Sequence, residues 1–383
     1  MKHYNIPVFI PELACPNRCI YCNQRHISGQ LEPVTTEEVK DIIEQHLATF
    51  KRPCEVELAF FGGSFTGIEI AQQREYLATV QPYIEQGLID GIRLSTRPDY
   101  INEEILQMLK QYNVKTIELG AQSLCDEVLQ YCERGHSVRD VEKASELIKK
   151  HGFSLGLQMM IGLPLDTMER SKQTANKIVE LGADNTRIYP TLVIPNTKLA
   201  ELYNQNAYTP LTIPQAVEWS AEIYKIFQKA GITILRVGLH PSEGLISGKD
   251  LIAGPFHVSF REFVLSKIWN ERLFSVPKET KKIIVNPKDI NYVIGYRNCN
   301  REALNQAGRK LTFVQSEQQK QMKTHMQYGG VVGDPILVGG HHRGHYQGKG
   351  DFTDLCRLNI DGQKGEVQPA FVTGAVVRAE GDQ

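Results

Sequence analysis

The sequence predicts an α/β fold: a partial (β/α)6 barrel of TIM type, followed by a small α+β extension at the C-terminal end. Three observations predict it. Apolar, β-rich runs alternate with amphipathic helical stretches through the first two thirds of the chain, the pattern of repeated βα units on a parallel sheet. Polar and glycine-bearing motifs recur directly after the apolar runs, where a parallel αβ barrel builds its working face. After Pro277 the repeat gives way to a shorter, differently patterned segment, so domains of residues 1–275 and 276–383 are expected.

In chain order the expected strands are "NIPVFI", "EVELAFF", "GIRLST", "KTIELG", "FSLGLQMMI" and "NTRIYPTLV". The helices between them begin with "TEEVKDIIEQHLATF", which follows a Thr35-x-x-Glu38 capping box. Then come "AQQREYLATVQPYIEQ", "NEEILQMLKQY", "VRDVEKASELIKKH" and "TMERSKQTANKIVELG", and "IPQAVEWSAEIYKIFQKAG" follows the sixth strand. The stretch from Ile234 to Trp269 reads as a seventh strand, a glycine-rich loop and a helix that finish or flank the barrel. Residues 281–314 read as two strands and a helix, and "QYGGVVGDPILVGGHHRGHYQGKGDF" beyond them has no clear periodicity.

The first loop holds three cysteines within eight residues, Cys15, Cys19 and Cys22 in "CPNRCIYC". With eight cysteines in 383 residues, the chain is too long and too thiol-poor for a small disulfide scaffold. No leader pattern and no apolar run of membrane-spanning length stand out, so a cytoplasmic protein with reduced thiols and no membrane partner is expected. Close cysteines there read as metal ligands or redox groups. Zinc wants four, and Cys54, Cys125, Cys132 or His26 would have to supply the last. A cubane iron-sulfur cluster held by three cysteines keeps one iron open for a substrate or cofactor.

The remaining motifs follow the other strands: "FFGGSFTG" the second, "STRPDY" the third and "ELGAQSL" the fourth, with "MMIGLP" and "IYPTLV" closing the fifth and sixth. Gly62 and Gly63 let a ligand approach the backbone, Ser95, Thr96 and Arg97 offer donors, and Gln122 and Gln158 supply amides. Each piece has a structural alternative, since paired glycines make turns and Ser137 reads as an N-cap beside Arg134 and His136. His240, Glu243 and His257 in the later loop read more readily as structural than as catalytic.

Taken in order, "CPNRCIYC", "GGSF", "STRPD", "ELGAQS", "RGHSVRDV", "MIGLP" and "IYPTLVIPNTKL" resemble the radical S-adenosylmethionine (SAM) enzymes. Within them the chain is most similar, over about residues 5–200, to the radical-SAM domain of the Elongator catalytic subunit, a tRNA-uridine-modifying enzyme. A looser likeness is to oxygen-independent coproporphyrinogen oxidases. The resemblance implies that Cys15, Cys19 and Cys22 hold a [4Fe-4S] cluster whose open iron chelates SAM. One electron would then cleave SAM to a 5'-deoxyadenosyl radical, the cofactors carrying the hard chemistry. It also implies cofactor contacts from Gly62 and Gly63 to the methionyl amino group and from Ser95 and Arg97 to the ribose and carboxylate. Gly156, Met160, Ile161 and Gly162 would border the adenine, and Tyr189 would close that pocket. Ser64 stands where many members have Glu. Glu118, Gln122 and Gln158 are the candidate catalytic residues, expected to point to the barrel centre and position substrate or cofactor.

Elongator pairs its radical domain with an acetyltransferase-like domain, for which "HYQGKG" is too slight a match with too few residues around it. Acetyl-CoA is therefore not expected as a second substrate. Residues 256–350 carry 15 Lys and Arg against 7 Asp and Glu, whereas residues 1–255 carry 25 against 31. A basic segment beside an acidic barrel suits RNA phosphates, with Lys278, Lys281, Lys282, Lys288, Arg297, Arg301, Arg309 and Lys310 as the grip; a solvated face is the alternative. The expected function is thus a radical SAM enzyme that modifies tRNA at a uridine, fed by an unidentified electron donor. A tetrapyrrole or metabolite substrate, or a non-catalytic iron-sulfur redox sensor, are the competing readings.

Overall fold

The structure, a computed structural model, describes residues 2–10, 19–23, 34–317 and 325–327. Two compact units divide between Phe260 and Arg261.

The first unit is built on seven strands: β1 (Lys2–Ile10), β2 (Cys54–Gly62), β3 (Gly91–Thr96), β4 (Val114–Gln122), β5 (Ser154–Ile161), β6 (Asn185–Pro190) and β7 (Thr233–Val237). They pair in chain order, every pair parallel, as a curled sheet forming half a barrel with β1 and β7 at its edges. The seventh strand thus extends the six expected units on the same sheet.

Parallel neighbours require long crossovers, and helices supply them. They are α1 (Thr36–Leu47), α2 (Ile70–Glu85), α3 (Glu103–Gln111), α4 (Asp126–Tyr131), α5 (Val138–Lys150), α6 (Met168–Glu180), α7 (Lys198–Asn204) and α8 (Ile213–Ala230). Their starts follow the sequence: Thr35 with Glu38, Ser137 with Asp140 and Thr212 with Gln215 form capping boxes. α5 buries Val141, Ala144, Ser145 and Ile148, one stripe at helical spacing.

Strand alternation divides the sheet into two unlike faces. Ile6 and Val8, Leu58 and Phe60, Leu94, Ile117, Leu119, Leu155, Leu157 and Met159 are fully buried and form the apolar core. Each contributes about 1.5–3 kcal/mol by leaving water. Intervening positions carry His3, Glu57, Arg93, Glu118, Gln158 and Arg187, so the other face is polar. β6 stops at Pro190, short of the expected Val193, because the backbone of Val193 turns away to pair with Ala253.

In the second unit α10 (Phe260–Ser275) precedes a three-stranded sheet with β8 (Lys282–Val285) at its centre. β9 (Thr312–Gln315) runs parallel to β8 and β10 (His325–Gln327) antiparallel to it. The short helices α11 (Ile290–Ile294) and α12 (Cys299–Gln306) make the crossover, around a core of Trp269, Leu273, Ile283, Val285, Val293 and Leu304. The expected two strands are there, with a third added by residues 325–327. Lys278, Lys281, Lys282, Lys288, Arg297, Arg301 and Lys310 are exposed. Arg309 is instead engaged: its two terminal nitrogens donate to the carbonyls of Leu273, Phe274, Val276 and Pro277 at 2.8–3.3 Å, capping the end of α10. The glycine- and histidine-rich stretch that contains "HYQGKG" lies outside the described residues. No described helix is long and apolar enough to cross a membrane.

Candidate active site at the strand ends

Cys15 lies outside the described residues, and the other two loop cysteines are held firmly. The Ile20 amide donates to the Cys132 carbonyl at 3.2 Å, and the Leu199 amide to the Ile20 carbonyl at 2.8 Å. Residues 19–22 are thereby pinned to the end of α4 and the start of α7. The Arg134 guanidinium donates through Nη1 to the Cys19 sulfur at 3.5 Å and through Nη2 to the Gly120 carbonyl at 2.8 Å. Cys132, packed in the same cluster, is pushed up to about 12 by burial and stays a thiol. Cys54 sits at the far end of the sheet, opposite Lys2, eight residues and roughly 26 Å of strand from the rim, and is no ligand partner for Cys19. His26 lies outside the described residues.

Arg134 thus reaches the Cys19 sulfur, and Ser137 caps α5 as the structural alternative expected. His136 Nε2 lies 3.3 Å from the Gly120 carbonyl. Burial first, then the charges of Arg134 and Arg97, lowers the His136 imidazole to about 4, and it is neutral at pH 7.

At the end of β2 the Gly63 amide donates to the Ile10 carbonyl at 2.8 Å. Gly62 has φ +105°, and a Cβ on it would stand 2.5 Å from that same oxygen, so only glycine fits the junction of β1 and β2. At the end of β3 Arg97, 1% exposed, donates two bonds of 2.9 Å to Asp99. Its remaining terminal nitrogen, Nη1, is buried and has no hydrogen-bond partner among the described residues. At the end of β4 Gln122 takes φ +64° beside a bulge, and its Oε1 is likewise buried and unpartnered. Those two orphans are a donor and an acceptor on neighbouring strand ends.

The fifth and sixth strands place their candidates differently from one another. Gly162 turns with φ +72° at the rim, its amide donating to Asp166 at 2.9 Å and its carbonyl accepting from the Tyr208 hydroxyl at 2.6 Å. Met160 is half-buried on the polar face, whereas Ile161 points into the core and its carbonyl takes bonds from Thr191. Gly156 lies deeper: a Cβ there would meet Asn185 Oδ1 at 2.6 Å and Glu118 Cγ at 2.8 Å, so it makes room for the Glu118 side chain. Tyr189 follows Arg187 on the polar face, its phenol raised by burial.

Across that face runs a charge relay drawn from successive strands. His3 meets Glu57 Oε2 at 3.0 Å, Arg93 Nε donates to the same oxygen at 3.0 Å, and Arg93 Nη1 donates to Glu118 Oε1 at 3.3 Å. Arg187 grips Glu118 with two bonds, Nε to Oε2 at 2.6 Å and Nη2 to Oε1 at 3.0 Å, and its guanidinium stands 5.0 Å from the Phe61 ring centre. Gln158 Nε2 completes the set, 2.9 Å from Glu118 Oε2 and 3.2 Å from Ser95 Oγ. Burial pulls the Glu118 carboxyl up, but Arg187, Arg93 and Gln158 outweigh it and hold the group ionised below the usual range. Both carboxylate oxygens of Glu118 are thus engaged by neighbours. Sequence reasoning missed Glu57, Arg93 and Arg187; the signal was a charged residue in the middle of an apolar strand, repeated with alternating sign.

The later loop contributes no comparable cluster. His257 Nδ1 accepts from the Ser259 amide at 2.9 Å, and Glu243 opens the five-residue helix α9 (Glu243–Ser247). His240, beyond β7, is lowered by burial and by Arg236.

Residues 10–178 match the family model described as the radical SAM superfamily, and residues 183–270 match the Radical_SAM C-terminal domain. A tRNA uridine(34) acetyltransferase of Methanocaldococcus jannaschii is 40% identical over 129 residues, which is 33% of this chain and 24% of that protein. The enzyme of the same name from Methanocaldococcus infernus is 29% identical, over 56% of this chain and 47% of its own length. The chain thus spans half or less of these curated relatives. A solved structure, the archaeal Methanocaldococcus infernus Elp3 with an N-terminal deletion, superposes with a TM-score of 0.57 at 22% identity, covering 73% of this chain and 66% of that one. At that identity the likeness shows the fold.

Proposed function

Since this chain belongs to the radical SAM superfamily and is an enzyme of that kind, we propose that it binds a [4Fe-4S] cluster and SAM at the strand ends and modifies a uridine of tRNA. The observation that carries the cofactor reading is the pair of buried orphans, Arg97 Nη1 and Gln122 Oε1, on strand ends that also bring Arg134 to Cys19. A guanidinium nitrogen wanting an acceptor and an amide oxygen wanting a donor fit a zwitterionic ligand, and unsatisfied groups of this kind are costly without one. The donor set fits as well: Cys19 and Cys22 as described, with Cys15 as the third thiol.

When bound, the cluster and SAM would supply one-electron cleavage of a sulfonium and abstraction of a hydrogen atom, the electron coming from an unidentified donor. The chain's own part is to bind, orient and shield. Arg134 balances charge at the Cys19 sulfur, and the Gly62 turn brings the β1–β2 junction close to the site. The relay of Glu57, Arg93, Glu118 and Arg187 keeps the floor rigid and polar. Neutral His136 adds no positive charge beside Arg134.

The tRNA reading is supported by the names of the relatives and by the exposed Lys278, Lys281, Lys282 and Lys288 of the second unit. Nucleoside analysis of tRNA incubated with reconstituted protein, SAM and reductant tests it. A new modified uridine supports the reading, and SAM turnover with unaltered tRNA sends the search to small molecules.

A further inference from the structure

The cations of the second unit that the sequence offers as one grip are divided by the fold between two ends of its sheet. β8 and β9 are parallel and start together: the Thr312 amide donates to the Lys281 carbonyl at 2.8 Å, and Lys282 stands opposite Thr312 on a strand about 4.8 Å away. Lys310 precedes Thr312 by two residues, and Lys278 lies in the turn that the Thr280 amide closes on the Pro277 carbonyl at 3.1 Å, just before β8. Four exposed lysines from two distant stretches of chain thus meet at one corner. The crossover leaves β8 at Val285 and returns to β9 along α12, so Lys288, Arg297 and Arg301 belong to the opposite end.

The chemistry of the corner is narrow. Residues 278–282 and 309–312 include one carboxylate, Glu279, whose charge acts on Arg309, and no aromatic side chain. Arg309 is itself committed to the carbonyls that end α10. The ring beside it, Phe274, has that guanidinium 5.8 Å from its centre and packs against the core, so it offers no open face for a base to stack on. Lysine ammonium groups are mobile point charges, suited to phosphate oxygens and carrying no base code without a groove to place them in.

We infer that the second unit is a sequence-blind RNA anchor: Lys278, Lys281, Lys282 and Lys310 hold the phosphate backbone at this one corner and read no base, while Lys288, Arg297 and Arg301 take no part. Base selection is left to the first unit. The assignment rests on the proposed function for the nature of the polyanion, and it goes further in saying where the contact is and what it does not recognise.

The test is fluorescence anisotropy with the whole chain over a salt series, using total tRNA and an RNA hairpin of unrelated sequence as probes. One variant combines Lys278→Gln, Lys281→Gln, Lys282→Gln and Lys310→Gln; the control combines Lys288→Gln with Arg301→Gln. All six side chains are exposed, so both proteins should unfold close to the wild-type temperature. The corner variant should lose about tenfold or more in affinity at low salt, equally for both RNAs, and its slope of log affinity against log salt should flatten by about 3–4, at about 0.7–0.9 for each phosphate released. The control should stay within about twofold of the wild type. Unchanged affinity in the corner variant, an equal loss in the control, or a loss for tRNA but not for the hairpin overturns the inference, as does a wild type that holds neither RNA. Should the fourfold variant not fold, Lys282→Gln with Lys310→Gln decides, with about half the change in slope. A wild type that binds both RNAs yet leaves tRNA uridines unaltered in nucleoside analysis counts instead against the modification reading, and the corner stands.

Discussion

Arg134 donates to the sulfur of Cys19 at 3.5 Å while its other terminal nitrogen holds the Gly120 carbonyl at 2.8 Å, so one buried guanidinium ties the cysteine loop to the end of the fourth strand. A fixed positive charge at a ligand sulfur stabilises electron density there. Arg134→Gln is therefore expected to lower the cluster's midpoint potential by tens of millivolts, where 59 mV is about a tenfold change for one electron. Redox titration followed by electron paramagnetic resonance measures it, and an unchanged potential removes the electrostatic role.

Breaking the relay should be costly. Glu118→Ala leaves Arg93 and Arg187 buried without their shared carboxylate, and a loss of about 3–5 kcal/mol is expected in denaturant or thermal unfolding. Because the carboxyls of Glu57 and Glu118 are held below their usual range when folded, their contribution is present above the unfolded carboxylate pKa and is lost as pH falls through the folded values.

These relay residues show how much of the site could be read in advance. Strands and helices were legible because apolar periodicity and caps such as Thr35–Glu38 are local signals. Glu57, Arg93 and Arg187 sat in plain view inside expected strands, but alternation says only that they share a face. Which carboxylate meets which guanidinium depends on strand order and register, and these bring Gln158 opposite Arg187. Arg309 was invisible in its real use, since nothing local says that its guanidinium folds back on the end of the helix from Phe260 to Ser275.

Acid should find a second weak point in His136. Its folded value of about 4 lies below the ordinary 6.5, so the stability it contributes is present above pH 6.5 and is lost as pH falls towards 4. A shift of that size corresponds to a few kcal/mol at most. His136→Gln should flatten the stability profile between about pH 6.5 and 4, measured by thermal unfolding; an unchanged slope assigns the acid sensitivity to the carboxylates alone.

For the second unit, replacing Lys281, Lys282 and Lys288 together with Ala should weaken tRNA binding and reduce its salt dependence, because released counterions scale with phosphate contacts. Equal affinity and equal salt slope in filter binding would mean that this face is simply solvated.

Radical SAM chemistry on tRNA is read out by 5'-deoxyadenosine formation. Protein reconstituted anaerobically with iron and sulfide is given SAM and a reductant, with and without total tRNA, and the product is quantified by mass spectrometry. Formation is expected to rise with tRNA and to disappear when Cys15, Cys19 or Cys22 is changed to Ala. No 5'-deoxyadenosine from cluster-loaded wild-type protein, or the same yield from the cysteine variants, would contradict it.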